Sequence, residues 1–229
     1  MIVLWQGDCM DGMKLYPDKY FDLAIVDPPY FSGPERRHYY GCSESKTKVH
    51  RSYHPSKMRW IPPGKEYFDE LIRVSKHYIV WGCNYFDYPF APGRIVWDKV
   101  NGSSTYSDAE IAATDLFTSV RLFSYMWNGM MQGKSIKEGR IQQGNKKLNE
   151  KRIHPTQKPL ALYEWLLMKY AEPGQIVLDT HVGSGSSLIA CAKYGCTAVG
   201  MEIDPVYYDG AWKRVTEEVG GKVEVVRGV

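Results

Sequence analysis

A chain of 229 residues that is 44% apolar and 24% charged can bury one substantial core, and no apolar run in it approaches the roughly eighteen residues of a membrane span. The start, MIVLWQGDCMDG, has no basic leader, and the five scattered cysteines (Cys9, Cys42, Cys83, Cys191, Cys196) suit a reducing interior, so a cytoplasmic protein without a disulfide framework is expected. Net charge is only +3, but two polar segments concentrate the positive charge on an otherwise acidic body, as a polyanion-binding face requires.

In chain order, MIVLWQ reads as a strand followed by Gly7-Asp8-Cys9, and FDLAIVD as a second strand ending at Asp27-Pro28-Pro29-Tyr30. Residues 35–59 then carry seven Lys/Arg against two Glu, interleaved with His38, Tyr39, Tyr40, Tyr53 and His54. Such aromatics can stack on bases, whereas a pair of solvated loops is the plainer reading. A loop as long as 31–60 is usually functional or disordered. A metal site at Cys42, His50 and His54 matches no strong ligand spacing, and no metal is expected.

KEYFDELIRVS has the period of an amphipathic helix, and HYIVWG and GRIVWDK read as strands. DAEIAATDL has no clear assignment, and SVRLFSYMW is strand-like. The 128–158 region lacks a clean period, reads as a loop or small insert, and includes the second basic run, residues 134–152. PLALYEWLLMKYA is a helix with Pro159 near its first turn.

QIVLD, THVGSGS, SLIACAKYG and CTAVGMEID then give strand, glycine-rich turn, helix and a strand ending in acid. A further helix, PVYYDGAWKRVTEEV, and a strand, GKVEVVRG, follow. This is the nucleotide-binding half of a doubly wound α/β fold. Asp179 at the strand end suits a cationic amine and would repel a phosphate. Glu202 is placed to accept a ribose, or else to cap the helix that begins at Asp204-Pro205. An adenosine cofactor with an amino-acid moiety and no pyrophosphate is implied, and S-adenosyl-L-methionine is the common molecule of that kind.

The matching segments are GDC (7–9), DPPY (27–30), WGCNYF (81–86), GRIVWDK (93–99), SDAEIA (107–112), HPTQKP (154–159), LDTHVGSGSS (178–187) and GMEIDPVYY (200–208). On them the chain resembles the amino-methylating DNA methyltransferases, N6-adenine or N4-cytosine, of the permuted class in which the catalytic half precedes the cofactor half. The resemblance implies one domain over 1–229 with a doubly wound, mostly parallel seven-stranded sheet of the S-adenosylmethionine-dependent methyltransferase type. Within it, 31–60 would be a mobile basic loop and 129–152 a small target-recognition insert.

By the same resemblance, Asp179, His181, Gly183, Ser184 and Gly185 would hold the methionine part of the cofactor, and Glu202 its ribose. Asp8 and Cys9 would line the adenine ring, with His154, Thr156, Lys158, Asn84 and Phe86 beside the cofactor. Asp27, Pro28, Pro29 and Tyr30 would be catalytic, Tyr30 stacking on a flipped base and Phe31 helping to close the pocket. Arg36, Arg37, Lys46, Lys48, Arg51, Lys134, Arg140, Lys146 and Lys147 are the candidate DNA contacts. The expected partner is double-stranded DNA, with a homodimer as in many relatives, in a bacterial or phage-type restriction–modification or orphan setting. No membrane partner is expected.

Two positions depart from the family pattern: Thr180-His181 replaces a Pro-Phe pair, and Cys83 replaces a glycine. Aspartate at the head of the tetrapeptide favours adenine over cytosine within the family. An RNA or protein methyltransferase, or a catalytically silent DNA-binding module, is the alternative of a different class.

Overall fold

The computed structural model describes residues 1–30, 41–44, 50–53, 60–102, 107–128, 131–220 and 224–228, with the backbone alone at 41–44, 50–53, 227 and 228. The first half contains β1 (Ile2–Gln6), α1 (Cys9–Lys14), β2 (Phe21–Val26), the short hairpin strands β3 (Gly41–Glu44) and β4 (His50–Tyr53), α2 (Lys65–Val74) and β5 (Ser75–Trp81). Next come β6 (Gly93–Asp98), β7 (Ala109–Thr114), β8 (Val120–Ser124), β9 (Trp127–Asn128) and β10 (Met131–Gln132). The chain continues with α3 (Leu160–Tyr170), β11 (Ile176–Asp179), α4 (Ser186–Tyr194), β12 (Thr197–Glu202), α5 (Pro205–Val219) and β13 (Val225–Gly228).

One sheet runs β13-β1-β12-β11-β2-β5-β7-β6-β8. β7 alone runs antiparallel to its neighbours, β5 and β6. The sheet has nine strands among the described residues where seven were expected, because β13 and β8 extend it in parallel beyond β1 and β6. DAEIAATDL is β7, whose identity comes from pairing on both sides rather than from its own pattern. The 31–60 segment contains the β3–β4 hairpin.

Helices cover both faces, so the central strands are apolar along nearly their whole length. Alternate residues of β2 serve opposite cores: Leu23 and Ile25 pack toward α3, α4 and α5, and Ala24 and Val26 toward α2. β5 repeats this with Ile79 and Trp81 on one side and Tyr78 and Val80 on the other. Helix α2 buries Tyr67, Phe68, Leu71 and Val74, the stripe its sequence period announced.

The chain leaves β2 toward β5 and leaves β11 toward β12, so the neighbouring pair β11–β2 is the topological switch point. Open parallel sheets bind ligands in the crevice outside the strand ends at such a point. Leu71, fully buried between α2 and the sheet, provides a check on this packing. Leu71→Ala should cost about 2–5 kcal/mol, read as a lower denaturant midpoint at an unchanged slope.

Candidate active site

Five parallel strands deliver their C-terminal ends to one crevice, bringing Asp8, Glu202, Asp179, Asp27 and Gly82 to the edge in sheet order. On the β11–β12 side the turn 180–185 passes through Gly183 at φ +54° and Gly185 at φ +79°, a region costly for any side chain. A Cβ on Gly185 would also stand 2.8 Å from the Val215 side chain. Asp179 is held by its Oδ1, which accepts the His181 N–H at 3.0 Å, and by its Oδ2, which accepts the Ser187 hydroxyl. Glu202 Oε2 accepts the Gly183 N–H at 2.9 Å and Oε1 the Asp204 N–H at 3.0 Å. The helix cap belongs to Asp204, whose carboxylate accepts from Val206 and Tyr207, so capping is not the role of Glu202.

Both strand-end acids are buried, and neither has an ion-pair partner among the described residues. Burial pushes Asp179 up to about 6 and Glu202 up to about 7, against the pull of their backbone hydrogen bonds. Two buried carboxylates around a glycine turn, lacking a cation, are a donor-seeking site, and they fit a ligand that carries an ammonium and ribose hydroxyls. Asp8 is the N-cap of α1, its Oδ1 accepting the Met10 N–H at 2.9 Å. Burial raises the adjacent Cys9 thiol to about 12, so it stays protonated.

The unusual pair beside Asp179 is well accommodated. The Thr180 hydroxyl lies 2.6 Å from the Tyr67 hydroxyl and 2.9 Å from His181 Nδ1, and the His181 ring meets Tyr67 edge-on at 5.5 Å. Burial lowers His181 to about 4, so at neutral pH it is an uncharged ring replacing the family's phenylalanine. His154 is buried between a stacked Trp60 (5.7 Å) and the edge of Tyr207 (4.3 Å), and burial lowers it to about 3. Its ring borders Gly183, where an added Cβ would meet Nδ1 at 3.4 Å, so HPTQKP does reach the glycine turn. Thr156 is exposed and hydrogen-bonds His154 Nδ1, and Ser184 is buried with its carbonyl accepting from Arg214.

One strand over, Asp27 follows β2, with Pro28 buried and Pro29 and Tyr30 half-buried. Lys158 does not join His154 at the glycine turn; its ammonium lies 2.5 Å from Asp27 Oδ1, 2.9 Å from Glu110 Oε2 and 2.9 Å from the Tyr30 hydroxyl. The resemblance implied a place beside the cofactor for Lys158; the structure shows its ammonium at Asp27, on the strand next to Asp179. The Tyr30 hydroxyl donates to Asp27 as well, and its ring stacks on Tyr85 at 5.0 Å and 8°. The other oxygen of Glu110, Oε1, pairs with Lys99 at 2.5 Å.

Burial raises Asp27 above the ordinary carboxylate range, with Glu110 adding to the effect and Lys158 opposing it. Burial also opposes the charge of Glu110, but Lys158 and Lys99 outweigh it and hold that pKa at about 2. Lys158 stands closer to Asp27, yet Glu110 is the more acidic because it alone has two ammonium neighbours. The half-buried Phe86 packs on Phe68 and lies edge-on to Tyr30, Asn84 is exposed in the turn after Gly82, and Cys83 is buried. Phe31 lies outside the described residues. Glu110, Lys99 and Tyr85 escaped the sequence reading; the one trace was an acid opening an apolar run in DAEIAATDL.

Residues 131–152 form an ordered lobe. Gln132 exchanges two hydrogen bonds with the Glu150 backbone, and the Glu150 carboxylate ties it to Arg214 of α5 at 2.6 Å. A cleft of 1140 Å³ separates this lobe from α3 and α5 and includes Lys134, Lys137, Lys151 and Lys213 in its lining. Lys134 pairs with Glu138 at 2.9 Å and Arg140 with Asp98 at 2.8 Å, while Lys146 and Lys147 are exposed in the turn Lys146–Leu148. Arg36, Arg37, Lys46, Lys48, the Arg51 side chain and the Cys42–His50–His54 side chains lie outside the described residues. No cluster among the described residues has three groups able to hold a metal ion.

The fold is the mostly parallel α/β sheet of the S-adenosylmethionine-dependent methyltransferase type. A family model described as DNA methylase matches residues 80–213, more than half of the sequence, and the chain belongs to that family. It is 24% identical to the Type II methyltransferase M.HpaI of Haemophilus parainfluenzae, covering 94% of this chain and 74% of that protein. It is 23% identical to M.ScaI of Streptomyces caespitosus, with 95% and 82% covered. Among solved structures, TTHA0409 of Thermus thermophilus complexed with S-adenosyl-L-methionine is similar at a TM-score of 0.57 and 19% identity, over 100% and 99% of the two chains. The cytosine-N4-specific PvuII DNA methyltransferase is similar at 0.53 and 13%, over 98% and 94%. By that family membership, the protein is a DNA methyltransferase.

Gly82, at the end of β5, lies against the Asp27 side of the crevice: its φ is +70° and a Cβ there would lie 2.0 Å from the Tyr30 ring. Gly82→Ala should destabilise the fold by about 1–3 kcal/mol and displace Tyr30 from Tyr85. The first effect is checked by thermal melting and the second by tyrosine chemical shifts.

Proposed function

We propose that the protein methylates the exocyclic N6 of an adenine flipped out of double-stranded DNA. The observation that carries this reading is that Asp27 and Asp179 end neighbouring strands, so an amine acceptor stands beside a cofactor-seeking carboxylate. Asp179, His181, the turn Gly183-Ser184-Gly185, Glu202, Asp8, Cys9, His154 and Thr156 would hold S-adenosylmethionine, with Asn84 and Phe86 at its edge. When bound, that cofactor supplies an electrophilic methyl group on a sulfonium.

An adenine amine is a weak nucleophile because its lone pair is delocalised into the ring. Asp27 accepts one N–H and the Pro28 carbonyl the other, which draws the nitrogen toward tetrahedral geometry and stabilises the positive charge that grows on it. The two prolines stiffen the backbone, so these acceptors need little reordering. The proton leaves after transfer, when the amine has become acidic, and no strong base is required. Tyr30, backed by Tyr85, offers an aromatic face to the extruded base. The exposed Lys134, Arg140, Lys146 and Lys147 would meet phosphates, and the 131–152 lobe would contribute to target reading. The lobe is small for a specific interface, which typically buries about 1,000 Å² or more, so a second subunit or the 31–60 segment would share the task.

Asp27→Ala should abolish methyl transfer while leaving the cofactor dissociation constant within about twofold, and Asp179→Ala should weaken cofactor binding by about 10–100-fold. Sequencing modified bases in DNA from a host expressing the protein identifies the target. N6-methyladenine supports the reading, N4-methylcytosine moves it to the other amine, and unmodified DNA with methylated RNA or protein sinks it.

Cofactor affinity should also depend on pH. An ammonium ligand favours the ionised form of Asp179, whose pKa is about 6, and Glu202, at about 7, accepts hydroxyls best when ionised. Binding therefore strengthens as pH rises from 5 to 8, releases protons, and levels off above both values. Calorimetry in buffers of different ionisation enthalpy measures the release; a pH-independent affinity would count against both roles.

A further inference from the structure

Lys158 is almost fully enclosed, its side chain 4% exposed, and its three N–H donors are all committed: to Asp27, to Glu110 and to the Tyr30 hydroxyl. Paired with Asp27 alone, such an ammonium would claim the carboxylate that the target amine needs. It would also oppose the positive charge that develops on that amine. Glu110, brought to the same ammonium by β7, takes up part of the lysine's field. Its second oxygen is pinned by Lys99 from the end of β6, so Glu110 cannot swing away. The chain Lys99–Glu110–Lys158–Asp27 thus runs from the end of β6 past β7 and β5 to the acceptor after β2.

We propose that Glu110 is a positioning residue, which holds Lys158 between two carboxylates and thereby leaves Asp27 oriented and available to accept the amine of the target base. This inference rests on the reading of Asp27 as that acceptor. Glu110 touches neither base nor cofactor in this role; it acts through Lys158. The charged and titratable groups facing Asp27 are Lys158, Glu110, Tyr30, Asp179 from β11, Tyr67 from α2 and Tyr163 from α3.

The test compares the wild-type protein with Glu110→Gln, Glu110→Asp and Lys99→Gln. The Asp27 carboxylate is titrated by ¹³C NMR in each cofactor-free protein, and kcat, KM for DNA and cofactor affinity are measured on the same samples. Glu110→Gln removes a negative neighbour and leaves Lys158 to Asp27, so the Asp27 titration and the acid limb of kcat should move to lower pH. Lys99→Gln removes a positive neighbour and should move both to higher pH, which gives an opposite sign from a second variant should the first fold poorly. In Glu110→Gln, kcat should fall by about tenfold or more with KM for DNA and cofactor affinity within about threefold, and Glu110→Asp should recover most of the loss. An Asp27 titration that is the same in all four proteins, or a Glu110→Asp variant as slow as Glu110→Gln, overturns the proposal. A wild-type protein that methylates no DNA overturns the acceptor reading instead, while the NMR titration still decides whether Glu110 controls Asp27.

Discussion

The crevice depends on one topological fact: β11 and β2 are parallel neighbours whose chains depart in opposite directions. The departing connections leave a gap above the two strand ends, so Asp179 and Asp27 stand side by side with room for ligands above both. Each acid is the last residue of an apolar strand or the first beyond it, at the boundary between core and crevice. Burial raises both carboxylates and leaves each in need of a donor or cation.

The two acids meet that difficulty differently. Asp179 has only neutral donors, Ser187 and the His181 N–H, so its charge awaits a ligand. Asp27 already has an internal cation in Lys158, shared with Glu110. A cofactor cradle gains from an unmet charge, because the incoming ammonium then meets no competitor. An amine acceptor gains from a fixed orientation, because its task is to align a lone pair. The segment 154–158 reaches both acids' surroundings, with His154 against Gly183 and Lys158 against Asp27, so five residues of chain span the proposed cofactor and acceptor sites.

Much of this was legible in the residues. The strand–glycine turn–helix–strand unit at 176–202, the amphipathic α2 and the acids at strand ends follow from local rules of periodicity and turn chemistry, and all stand where expected. His181 and Thr180 were legible as a departure but not in its consequence. The Tyr67 hydroxyl that engages Thr180 comes from α2, more than a hundred residues away in sequence. β7 was illegible because AEIAAT carries too few large apolar residues to declare a period, and its strand identity comes from being sandwiched between β5 and β6.

By itself, the sequence determined the strand–turn–helix–strand unit at 176–202, the placement of Asp27 and Asp179 at strand ends and the glycines that let the turn bend, because those depend on near neighbours along the chain. Only the tertiary structure decided that Lys158 pairs with Asp27, that Glu110 and Lys99 join it, and that Tyr85 backs Tyr30. These are pairings of charges and rings across strands distant in sequence, and their partners are chosen by the sheet that brings them together.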